Sequence, residues 1–185
     1  MSIIKADSND EIIFSTYRDM ACSRDRHSRL LAEMAIDGNN GNEGLVLWLG
    51  QDREGIATVT HLVRLRGPLV QKQADFINIH PSLFNDVADL AIDRQVRLIG
   101  QVHTHGPGCG LDLSTTDREY GLQVPHYLSL VAPDYGCTIA PIQEWGVHVF
   151  AQGAGYIRLT SAEISRRLLI CPGQRLPFFT VGGAQ

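Results

Sequence analysis

The stretch VRLIGQVHTHGPGCGLDLSTTDREY, residues 96–120, decides how this chain is read. Residues 96–105 predict a strand that runs straight into His103-Thr104-His105. Side chains alternate along a strand, so His103 and His105 share a face with their Cα atoms about 6.5 Å apart. Two imidazoles so placed can converge on one ion through bonds of about 2.0–2.1 Å. Such a pair on its own also fits two solvated or core histidines. Its neighbours add weight: after the glycine-rich loop 106–113 comes Ser114-Thr-Thr-Asp117. A carboxylate can be a third zinc ligand, leaving the fourth position open as a catalytic site requires. Ser-x-x-Asp is also a helix-capping pattern, and the two readings agree. A helix begun by Ser114 presents Asp117 from its first turn, back toward the histidines.

Working upstream, residues 25–36 place His27, Leu30, Leu31, Met34 and Ala35 on one helical face. The polar stretch DGNNGNE (37–43) breaks that helix, and GLVLWLG (44–50) predicts a buried strand. IATVTHLVRL (56–65) predicts a second strand, with a possible short one at 75–79. Pro81-Ser82 looks like a helix start, followed by Leu83, Val87, Leu90 and Ala91 on one face. Downstream, strands are expected over 127–132, 138–144, 145–151 and 156–159. A capping box at Thr160-Ser-Ala-Glu163 opens a final helix over 161–170. This order predicts an α+β fold, an α/β sandwich with a mixed β-sheet flanked by helices. Residues 1–170 are expected to form one domain and 171–185, rich in Pro and Gly at its start, a loosely held tail.

A length of 185 residues suits one compact domain, and mean hydropathy is near zero. No run reaches the roughly 18 apolar residues of a spanning helix, and no secretory signal opens the chain. A net charge of −4 without a Lys/Arg stripe argues against a nucleic-acid partner. Cys22, Cys109, Cys137 and Cys171 show neither a disulfide framework nor a zinc-ribbon spacing, which points to a cytoplasmic setting. Cys109 is expected to pack as a small hydrophobe beneath the histidines. His61, His126 and His148 read as structural or surface residues, and Trp48 and Trp145 as core.

A hydrolytic metal site also needs a base, and Glu43 stands at the entry to the buried strand 44–50. Alone it reads as an exposed loop acid, and Glu33, Asp37 and Asp112 are competing acids. In order, Glu43, His103-Thr104-His105 and Ser114-x-x-Asp117 resemble the signature of the JAMM metalloproteases, the active MPN-type (JAB-type) enzymes. The segment Glu43-Gly-Leu-Val-Leu-Trp-Leu-Gly50 is similar to that family's glutamate-bearing strand, and the likeness spans about residues 25–160.

The resemblance implies an MPN/cytidine-deaminase-like sheet and one catalytic Zn2+ held by His103, His105 and Asp117. It implies Glu43 as general acid/base and Ser114 as donor to the water or the developing oxyanion. It further implies an isopeptidase that cuts after the C-terminal Gly of a ubiquitin-like protein. The short chain resembles stand-alone prokaryotic, deubiquitinase-like members, some of which work beside E1-like and E2-like enzymes. Two other readings stand: a peptidase maturing a ubiquitin-like or sulfur-carrier precursor, and a non-catalytic MPN scaffold module. One departure concerns the loop. Eight residues separate His105 from Ser114, where the family usually has seven, which opens the question of Asp112's role.

Overall fold

The computed structural model describes residues 4–5, 13–17, 29–53, 56–137, 140–171 and 176–183. Among them, ten strands form one mixed sheet. Its central strands are β3 (Leu45–Arg53), β4 (Ile56–Leu65), β7 (Arg97–Thr104) and β8 (Leu128–Ala132). The antiparallel ribbon of β9 (Gly146–Ala151) and β10 (Gly155–Arg158) extends one side. Beyond β4 lie β1 (Ile4–Lys5), β2 (Ile13–Tyr17) and β11 (Leu168–Cys171), while β12 (Phe178–Val181) pairs in parallel with β4. A separate hairpin, β5 (Val70–Lys72) and β6 (Ile77–Ile79), stands apart from the sheet.

The sheet is covered on both faces, as its near-continuous apolar strands require. Helix α1 (Arg29–Gly38) puts Leu30, Leu31 and Met34 against Val46, Trp48 and Val102. The same core holds Ile164 of α4 (Ser161–Arg167). On the opposite face, α2 (Ser82–Asp93) lays Leu83, Val87 and Ala91 over Leu45, Leu47, Leu49 and Val63. The strand 44–50 is thus buried on both sides, which explains its unbroken apolar run. Trp48 and Trp145 are core residues at 0% and 3% exposure.

Two irregularities set which way the strands face. Pairing between β3 and β7 jumps from Trp48–Gly100 to Leu49–Leu98, leaving Ile99 as an extra residue. Pairing between β3 and β4 jumps from Leu49–His61 to Gly50–Val59, leaving Thr60 extra. Such bulges switch the face of every residue beyond them. The bulge at Ile99 therefore directs Gln101 and His103 to the α2 face while Val102 enters the α1 core. Gly50 lies between the two bulges, where a Cβ would strike the Thr58 carbonyl and come within 2.7 Å of Ile99 Cδ1.

Several expectations are corrected. The described part of the tail, 176–183, is not loose: Leu176 is 3% and Val181 8% exposed, and β12 takes up the side of β4 over Leu62–Leu65. The last helix stops at Arg167, and the apolar residues after it form β11 in parallel with β2. Residues 142–144 form a 3-10 turn rather than a strand, because Pro141 has no N–H for a ladder. Residues 138–139 and His27 lie outside the described residues. No described helix is long and apolar enough to cross a membrane.

Candidate metal centre

β7 ends at Thr104, and a loop leads to α3 (Thr115–Tyr120) before the chain returns as β8, parallel to β7. The site thus forms at the carboxyl end of a strand, where crossover loops open the sheet edge. Ser114 caps α3. Its Oγ accepts from the Asp117 N–H at 3.1 Å, and Asp117 Oδ2 accepts from the Ser114 N–H at 2.8 Å. This reciprocal box locks the Asp117 carboxylate against the strand end.

Asp117 Oδ1 lies 3.5 Å from His103 Nε2, and Oδ2 lies 3.5 Å from His105 Nε2. One ligand atom from each of the three residues falls within 4.8 Å of the others. Tetrahedral zinc bonds of about 2.0–2.1 Å place neighbouring ligand atoms about 3.3 Å apart, so the spacing fits one small cation. His103 is 2% exposed, and both of its ring nitrogens are buried without a hydrogen-bond partner. Buried polar groups are nearly always satisfied, and a cation at Nε2 would satisfy this one. His105 Nδ1 donates to the Gly110 carbonyl at 2.7 Å, which leaves Nε2 as the lone-pair nitrogen facing Asp117. A second-nitrogen bond of this kind is the usual way a metal-binding imidazole is oriented.

Glu43 lines the same cavity as His103, Ser114 and Asp117 and is 6% exposed, not the exposed loop acid its position alone suggested. Burial pushes its pKa up to about 7, with Asp117 and Asp75 adding to the rise and His105 opposing it. Burial also pulls on Asp117 in the same sense, but the two imidazoles close beside it and the Ser114 cap win and hold it well below the usual carboxylate range. His105 is raised: burial lowers it, and the Asp117 and Gly110 contacts together with the Glu43 charge outweigh that. Two carboxylates with opposite shifts in one pocket are suited to different roles.

The competing acids are engaged elsewhere. Glu33 pairs with Arg64 and Arg66, and Asp37 with Arg66 and Lys72 at 2.6 Å, tying α1 to β4 and to the β5–β6 hairpin. That hairpin supplies Phe76, Ile77 and Ile79 as one wall of a cavity of about 150 Å³. Phe84 of α2 and Tyr120 of α3 also line it. The pocket is therefore apolar around a polar end that carries Glu43, Asp75, Asp117 and His103.

Thr104 has a role that the sequence reading missed. It points away from the histidines, is 0% exposed, and its Oγ1 accepts the Gly44 N–H at 2.8 Å. The Thr104 N–H returns a bond to the Gly44 carbonyl at 3.0 Å. The residue between the two histidines thus fastens the backbone next to Glu43. The visible signal was period two: a polar residue between two ligands must face the other way. Thr104→Val leaves a buried N–H without an acceptor, at a cost of about 1–3 kcal/mol. We expect a lower melting temperature, with Thr104→Ser recovering it. A Val variant that melts like wild type would refute the role.

Cys109 does not pack under the site. It follows Gly108, at φ +78°, on an exposed turn, and its thiol is free. Of the structural and surface readings open for His148, the structural one holds: it is 0% exposed and bonded to Asp112.

The fold is thus mixed α+β, and the site is a group able to hold a metal. No family model matches the chain, and no curated protein matches it. Among solved structures, a Desulfitobacterium hafniense protein is similar at 13% identity with a TM-score of 0.60, covering 89% of this chain and 95% of its own. A Salinibacter ruber protein is similar at 17% identity with a TM-score of 0.50, covering 88% of this chain and 94% of its own. At these identities the likeness speaks to fold alone.

Proposed function

We propose that this chain is a zinc-dependent isopeptidase of the JAMM/MPN type. It removes a ubiquitin-like protein from conjugates by hydrolysis after the C-terminal glycine, in a prokaryotic conjugation system with E1-like and E2-like partners. The observation that carries the reading is the grouping of His103, His105 and Asp117, with Glu43 and Ser114 lining the same cavity as His103 and Asp117. The three first-named residues would hold the ion. Zinc in such a site supplies Lewis acidity to a carbonyl and makes water acidic near neutral pH.

The remaining work falls to the chain's own groups. Glu43, with its pKa about 7, can take a proton from the attacking water and hand it to the leaving amine at neutral pH. The Ser114 hydroxyl can donate to the oxyanion that develops on the scissile carbonyl. Phe76, Ile77, Ile79 and Phe84 narrow the approach, which favours a tail of residues without side chains. A scaffold that only binds partners needs neither Glu43 nor Ser114 in this arrangement.

Purified protein is expected to carry about one zinc per chain by elemental analysis. It should release a ubiquitin-like protein from a lysine conjugate, with chelator stopping the reaction and added zinc restoring it. Offering a C-terminally extended precursor in parallel separates deconjugation from maturation. A protein that retains no metal and cuts neither substrate sinks the proposal.

A further inference from the structure

The loop Gly106–Leu113 is anchored by residues outside the metal group. Its Gly110 carbonyl orients His105, and its end delivers Ser114, the cap that places Asp117. Between those two points stands Asp112. Its Oδ1 accepts from His148 Nε2 at 3.0 Å, and Arg118 and Arg158 approach the same carboxylate at 3.4 Å each. The His148 side chain on β9 is wholly enclosed, whereas that of Asp112 is 59% exposed. Beside this pair the loop lies against the start of β9, where a Cβ on Gly146 would strike the Leu111 carbonyl oxygen.

We propose that the Asp112–His148 pair is a positioning latch for the metal centre. It seats the loop on β9, so that Gly110 turns His105 Nε2 toward the ion and α3 starts where Asp117 completes the group. Surface arginines alone give a weak, screened and poorly directed contact with a carboxylate. An enclosed imidazole offers one N–H in one direction, which fixes where Asp112 sits. The inference rests on the metal-site reading above.

The test is metal binding, not turnover. Zinc affinity would be measured by competition with a chromophoric chelator, and geometry by the visible spectrum of bound Co2+, on Asp112→Ala, Asp112→Asn and His148→Phe. Partners that orient metal-binding histidines typically contribute 10–100-fold in affinity. We expect Asp112→Ala and His148→Phe to lose about that much and to alter the Co2+ spectrum. Asp112→Asn, whose amide oxygen accepts the same N–H, should stay close to wild type. Folded Asp112→Ala protein with wild-type zinc affinity and an unchanged Co2+ spectrum overturns the latch alone. Wild-type protein that binds neither ion overturns the metal-site reading and the latch with it.

Discussion

Glu43→Gln is expected to cut hydrolysis about a thousandfold while zinc content stays at the wild-type level. The reason is a division of labour visible in the site. His103, His105 and Asp117 are placed to supply the ligand atoms, and Glu43 is outside that group. Glutamine keeps the size of the side chain and removes only its capacity to accept and return a proton. The loss should therefore fall on kcat, with KM nearly unchanged.

The same substitution is expected to stabilise the metal-free protein above neutral pH. Burial raises the Glu43 pKa from 4.5 to about 7, so the folded state holds this proton more tightly than the unfolded chain. The stability it contributes is complete below pH 4.5 and is lost as pH rises through 7. At pH 8 a buried carboxylate is then a liability of about 3 kcal/mol that glutamine does not carry. Chemical denaturation of both proteins after chelation, at pH 5 and pH 8, reads this directly. The variant should gain at the higher pH and show little advantage at the lower. A variant that loses zinc, or one that still cleaves at the wild-type rate, would exclude Glu43 as the base.

Much of this site is legible in the sequence, because its signals are local. The capping box at Ser114 and Asp117 is fixed by residues three apart, and it is present as expected. The pair His103 and His105 needed only strand alternation, and α2 needed only the spacing of Leu83, Val87 and Ala91. Fixing which face His103 takes required the bulge at Ile99, a feature of the β3–β7 pairing. The short strand expected at 75–79 is present as β6, but its pairing with β5 was hidden for a related reason. The hairpin is held by the buried ammonium of Lys72 against Asp37 and by the bond from the Glu43 N–H to the Gln73 carbonyl at 2.7 Å. Neither partner is near in sequence. Asp112 and His148 are likewise 36 residues apart, and no spacing rule joins them.

The end of the chain supplies the second large effect: deleting residues 176–185 is expected to abolish cooperative folding. The composition of this segment suggests a loose tail, but its packing is that of a structural strand. Its backbone continues the sheet through the Arg66 N–H to the Val181 carbonyl and the Leu62 N–H to the Pro177 carbonyl, both 3.0 Å. Thr180 Oγ1 accepts from Arg64 Nε at 2.6 Å, and the Phe178 ring lies beneath the guanidinium groups of Arg29 and Arg64. Leu176 and Val181 are buried in opposite cores, so removal opens both faces of the sheet at once. Each such side chain is worth about 1.5–3 kcal/mol, and the half-buried Phe178 and Phe179 add to that. The total rivals the roughly 5–15 kcal/mol that holds a domain together. It would also leave Leu62–Leu65 of β4 as an unpaired apolar edge, a template for aggregation. Leu176→Ala and Val181→Ala should each lower the melting temperature in the full chain, and the truncated chain should lack a sharp transition by circular dichroism. A truncated protein that melts cooperatively within a few degrees of the full chain would return the segment to the status of a tail.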